Sequence, residues 1–312
     1  MRPALSVILL TTLIGAGQGL FLALYGVEIG ARFDLIAPAP PRFFVAACAL
    51  SAALLAAGLG ASFFHLGHPE RAWRAAAMWR TSWLSREVIV LPAFIAAVAA
   101  YGAAHHLGWN QTAAIGAVAA VLCVALFICT GMIYACLTFL QEWHTPLTLI
   151  NFFMLGTASG LMLAAAFAAF AAEPLAGLLA IAAVTATALA ALTRSAALAR
   201  NARIRPKSSL QTAIGVAHPR IMQQSQGLMG GSFNTREFFH GRTAQLVGAV
   251  KWVFMLFAFL LPVLFAVIAL GRGMPALLLL AFAVQFCGLL AERWFFFAQA
   301  RHPQNLYYQV IS

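Results

Sequence analysis

Charged residues are scarce in this chain, and acidic ones most of all. Only 9% of its 312 residues are Asp, Glu, Lys or Arg, and just eight are acidic. A water-soluble domain carries about 25% charge, because polar groups must cover its surface. Here 63% of residues are hydrophobic and the mean hydropathy is +0.89. That balance excludes a soluble enzyme, a disordered chain and a nucleic-acid module, although 19 Lys and Arg give a formal charge of +11. Cysteines are few: Cys48, Cys123, Cys129, Cys136 and Cys287, each in an apolar run and none in a CxxC pair. They read as small hydrophobes in helix packing, not as a disulfide framework or an iron–sulfur site. No Walker loop or HExxH motif occurs, and no inverted repeat of the transporter kind is evident. No metal site is expected.

What the chain has in plenty is apolar runs of bilayer length, about 20 residues each. Eight stand out: Ala4–Ala31, Phe43–Phe64, Val88–Ala104, Ala113–Leu140, Leu147–Ala171, Leu175–Leu198, Leu246–Leu270 and Pro275–Ala300. The first is too long for a signal peptide and reads as a retained helix. The expectation is an all-α integral membrane protein, a bundle of eight transmembrane helices forming one domain over residues 1–312. Gly15 and Gly19, Gly26 and Gly30, and Gly156 and Gly160 are GxxxG pairs, which let helix backbones approach closely in lipid.

Eight spans place both termini and the 2–3, 4–5 and 6–7 connections on one side. Only Arg32, Arg42 and Arg272 fall on the other side, leaving 16 of the 19 cations with the termini. Cytoplasmic loops carry the excess of Lys and Arg, so both termini are expected in the cytoplasm. The connection from about residue 199 to 245 is long and basic. Its cations include Arg220, Arg236 and Arg242, with His240 beside them. Anionic lipid or a docked soluble protein would suit it.

Ionisable groups at membrane depth are costly, and so point to function. Two stand at the cytoplasmic boundary: His65, closing the second span, and Glu87, opening the third. A His and a carboxylate at a membrane edge suit quinone chemistry, which takes two electrons and two protons. The His can donate to a carbonyl and exchange a proton near neutral pH, and the Glu can relay protons. Arg71, Arg74, Arg80 and Arg86 could polarise quinone oxygens or meet a partner. Trp73, Trp79 and Trp83 suit an interfacial belt or a pocket wall. A b-type haem needs two facing His, and His65 with His144 is the conceivable pair. His105 and His106 lie on the far side and read as a helix end. A pure scaffold and a secondary transporter remain as rival readings.

The segments Phe64–Trp73 (FHLGHPERAW), Trp83–Glu87 (WLSRE) and Trp143–Pro146 (WHTP) running on to Phe152-Phe153 are distinctive. With the eight-span plan, they resemble the membrane-anchor subunits of dimethyl sulfoxide reductase-type molybdoenzymes. That resemblance implies partners: a molybdopterin catalytic subunit and an iron–sulfur subunit docked on the cytoplasmic face. It also implies electron exchange with membrane quinone, ubiquinone or menaquinone, typically without haem, and no substrate chemistry in the anchor itself. The family's quinol-binding His and Glu fall on His65 and Glu87, with Arg71, Arg86 and Trp83 close by in sequence. Arg74, Arg80, Arg220, Arg236 and His240 are the expected docking residues. The stretch from Gln223 to Gly241 (QQSQGLMGGSFNTREFFHG) is similar to the branch of the family that serves cytoplasmic sulfite oxidation. This favours quinone reduction over quinol oxidation.

Overall fold

The computed structural model describes residues 1–222, 240–303 and 305–308, without the side chains of His65, Tyr307 and Tyr308. Among the described residues, eight helices are long and apolar enough to cross a membrane. They are α1 (Leu5–Arg32), α2 (Pro41–Ser62), α3 (Trp83–Leu107), α4 (Thr112–Ala135), α5 (Pro146–Ala171), α6 (Glu173–Ala202), α7 (Ala244–Arg272) and α8 (Ala276–Ala298). No strand occurs among these residues. Helices are the expected solution, because an open strand edge would leave backbone groups unpaired in lipid.

The ends of the helices follow local chemistry. Ser82 caps α3, accepting from the Ser85 backbone N–H, and Thr145 and Thr243 cap α5 and α7 in the same way. Pro sits in the first turn of α2, α5 and α6, where its missing N–H costs nothing. Gly108 and Gly273 end α3 and α7 in the left-handed region, at φ 67° and 62°. Helix α3 starts five residues earlier than its apolar run. Glu87 therefore lies one turn inside the helix. Helix α4 ends at Ala135, short of the run's end at Leu140.

Helices α1 and α5 are the most buried, and they touch through glycine. A Cβ on Gly19 would collide with the Gly156 carbonyl oxygen, and one on Gly160 would collide with the Gly19 carbonyl carbon. These GxxxG pairs are thus used inside the chain. Helices α2 and α4 also pack on α1, and α4, α6 and α8 on α5. Polar side chains tie α1 to its neighbours: Gln18 Nε2 donates to the Cys123 carbonyl at 3.0 Å, and Ser51 Oγ to the Gly17 carbonyl at 2.8 Å.

Helix α7 contains a π-helical turn at Leu256–Leu260, just before Pro262. Proline has no N–H for the carbonyl four residues back, which here belongs to Ala258. Gln285 of α8 donates to that carbonyl at 3.3 Å and to Thr187 Oγ1 at 3.0 Å. Gly288 admits the bulged backbone, since a Cβ there would collide with the Ala258 nitrogen.

The N-terminus meets the residues that follow α8. The Met1 amine donates to the Ala300 carbonyl at 2.8 Å. Of the long 6–7 connection, the described part holds a short capped helix, Leu210–Ile214. Arg200 anchors its start on the 4–5 connection, donating to the Gln141 carbonyl at 3.0 Å. Arg236 and most of the Gln223–Gly241 stretch lie outside the described residues.

The α1–α5 contact has no room for a methyl group. Gly19→Ala is expected to destabilise the bundle by about 1–3 kcal/mol, read as a lower unfolding midpoint in detergent. Gly26→Ala, with nothing within 4 Å of its Cβ, should leave the midpoint unchanged.

Candidate functional site

Glu87 turns inward from the second turn of α3. It is 7% exposed and accepts a hydrogen bond from Thr130 Oγ1 of α4. It lines a cavity of about 20 Å³ with Thr11, Gln18, Phe127, Phe152 and Arg293. A space of that size holds about one water. Gly15 and Gly156 form part of the wall, so the close α1–α5 approach shapes it.

The residues expected around Glu87 are dispersed. Arg86 points away, its Nε donating to the Trp79 carbonyl at 2.9 Å and its Nη2 to the Arg80 carbonyl at 2.8 Å. Its guanidinium lies 4.2 Å from the centre of the Trp83 ring. Arg71 is exposed on the 3₁₀ segment Pro69–Met78, 3.7 Å from Glu70, which also meets His68 at 3.0 Å. None of Arg71, Trp83 and Arg86 lines the Glu87 cavity. For Arg86 the reason is helical geometry, since adjacent residues such as Arg86 and Glu87 point about 100° apart. His65 lies in a 3₁₀ turn at the end of α2, and its side chain is outside the described part. His144 is exposed and its Nδ1 donates to the Ala135 carbonyl at 2.7 Å.

The docking candidates divide as well. Arg74 lies over Trp73 at 5.5 Å and Arg80 over Trp79 at 5.4 Å. All four are exposed or partly exposed, and the Pro69–Met78 segment buries none of its residues. It therefore presents aromatic and cationic groups together on the surface. Arg220 is exposed, its N–H donating to His218 Nδ1 at 3.1 Å. His240 Nδ1 accepts from the Arg242 N–H at 3.0 Å.

Two buried charge clusters were not expected. In the first, Glu292 of α8 is fully buried and paired at 2.6 Å with both Arg194 Nε of α6 and Arg293 Nε. Arg293 stacks on Phe152 at 4.2 Å, and Arg194 faces Phe254 at 5.6 Å. A second cavity of about 10 Å³ lies here, lined by these three residues with Glu142, Asn151, Asn201 and Gln299. In the second cluster, Glu28 of α1 accepts from Tyr101 Oη at 2.7 Å and from Thr112 Oγ1. His105 Nε2 is 3.9 Å from Glu28, and its ring stacks on Phe44 at 4.1 Å. His105 is thus packed inside the bundle and does more than mark a helix end. The signal for both clusters is present in the sequence: Glu28, Arg194, Glu292 and Arg293 all fall inside apolar runs. Counting the arginines for topology alone overlooks it.

An inward carboxylate near the end of a spanning helix, in an eight-helix bundle with an exposed segment bearing cations and tryptophans, defines a multi-pass membrane protein with a candidate docking surface. Residues 2–298 match the family model described as the DMSO reductase anchor subunit, DmsC. The chain belongs to that family. Among its relatives is a sulfite dehydrogenase subunit of Allochromatium vinosum, 52% identical over 325 aligned positions that cover the whole of both chains.

Glu292 is the common partner of two buried guanidiniums. Glu292→Ala is expected to cost about 3–5 kcal/mol, the scale for breaking a buried pair from one side. Arg194→Met leaves Glu292 paired with Arg293 and should cost less. Denaturant unfolding of the purified protein compares the two, and equal losses would contradict this account.

Proposed function

We propose that this chain is the membrane anchor of a molybdenum-dependent oxidoreductase complex, carrying electrons from a docked iron–sulfur subunit to quinone while a molybdopterin subunit oxidises sulfite. The observation that carries the proposal is Glu87, a buried carboxylate beside a water-sized polar cavity, in a chain of the anchor family. Quinone reduction needs two protons for every two electrons. A carboxylate near the membrane edge takes up and releases protons through water, and Thr130 holds its orientation. His65, at the end of α2, is the group we assign to a quinone carbonyl.

The Glu87 cavity is too small for a quinone ring. The ring would stand at the lipid edge, where Phe63 and Phe64, just after α2, and Leu84, in the first turn of α3, are exposed. Proton exchange with Glu87 would then run through the bundle wall. The direction of flow is supported by the relative's printed name, a sulfite dehydrogenase subunit matched along its whole length. The family description names a reductase, and quinol oxidation would use the same residues in reverse.

The 16 to 3 distribution of cations supports a cytoplasmic docking face in a bacterial inner membrane. The Trp73–Arg74 and Trp79–Arg80 pairs, with Arg220, Arg236 and His240, are the groups we assign to the iron–sulfur partner and to lipid headgroups.

Glu87→Gln keeps the shape and the Thr130 contact but cannot exchange a proton. In the assembled complex it should slow sulfite-dependent quinone reduction by about 100-fold. Full activity would remove Glu87 from the mechanism. For orientation, alkaline phosphatase, active only outside the cytoplasm, should be active when fused after Pro38 and inactive when fused after Lys207.

A further inference from the structure

The two internal cavities adjoin. Phe152 and Arg293 line both. The first ends at Glu87. The second runs past Glu292 to Glu142, Asn201 and Gln299, which are half-buried on the face where the N-terminus meets the residues that follow α8. Four buried polar atoms lining the second cavity have no hydrogen-bond partner among the described residues: Asn151 Oδ1, Arg194 Nη2, Arg293 Nη1 and Gln299 Nε2. Buried polar atoms around a water-sized space bind water, because leaving them unpaired is costly.

We infer that the two cavities form a hydrated proton relay from the face holding the N-terminus to Glu87, with Glu142 at the mouth and Glu292 midway. The inference rests on the reading of Glu87 as the proton-exchanging group of a quinone site. Each quinone reduced takes two electrons from the iron–sulfur partner and two protons from water, forming two O–H bonds. Each proton would enter at Glu142 and pass through water to Glu292 and on to Glu87. Arg194 and Arg293 are positioning residues that hold the water and Glu292 in place.

The test uses the intact complex in liposomes, with sulfite as donor and decylubiquinone as acceptor. Glu292→Gln is expected to lower kcat about tenfold or more, with KM for decylubiquinone unchanged. Glu292→Asp should restore most of the rate, and added azide or formate, as small proton carriers, part of it. Glu142→Gln breaks no buried ion pair and should slow turnover several-fold. It decides the matter alone if Glu292→Gln fails to assemble. Wild-type kcat in either assembled variant overturns the relay. So does a loss in Glu292→Gln that neither Asp nor weak acid relieves, because that marks a structural role. Full activity in Glu87→Gln would instead sink the underlying site reading, so the two failures are distinguishable.

Discussion

The closest approach in the bundle is glycine against glycine, where α1 crosses α5 at Gly15, Gly19, Gly156 and Gly160. In lipid, helices gain little from burying apolar surface, since the tails around them are equally apolar. Association depends on packing and on polar contacts between helices. With no side chains between them, α1 and α5 come close enough for α2, α4, α6 and α8 to gather around the pair. Gly15 and Gly156 also line the cavity beside Glu87. The same contact that organises the bundle therefore sets the size of its polar interior.

Around that axis the bundle admits few polar groups, and many of them answer one another. Gln285 meets the carbonyl that Pro262 leaves open. Tyr101 and Thr112 meet Glu28. The Arg194–Glu292–Arg293 triad goes further, because it brings a net positive charge into the core and leaves guanidinium nitrogens over. Buried ion pairs are weak contributors to stability compared with apolar packing. In the proposed relay the triad stands between Glu142 and Glu87.

Much of the architecture was legible in the sequence. The eight apolar runs match the eight helices to within a few residues at most ends. The largest departures are at α3, which begins at Trp83, and at α4, which stops at Ala135. Those two misread because hydropathy follows side chains, while helix ends follow caps and backbone turns such as Ser82. Of the candidate site, Glu87 was legible as a carboxylate at a span's edge, but the residues that share its cavity were not. Arg71, Trp83 and Arg86 are close to it in sequence yet point elsewhere, and Arg293, distant in sequence, shares its cavity.

The sequence alone determined that the chain is helical and holds eight helices long and apolar enough to cross a membrane. Each of these follows from composition and periodicity, which act locally along the chain. Only the tertiary structure decided which ionisable groups meet. Glu87 finds Thr130 and shares a cavity with Arg293, Glu292 finds Arg194, and His105 finds Glu28, each from another helix or another part of the chain. Such meetings depend on helix rotation and crossing, which glycine contacts and a single proline-induced bulge set, and no one-dimensional pattern records them.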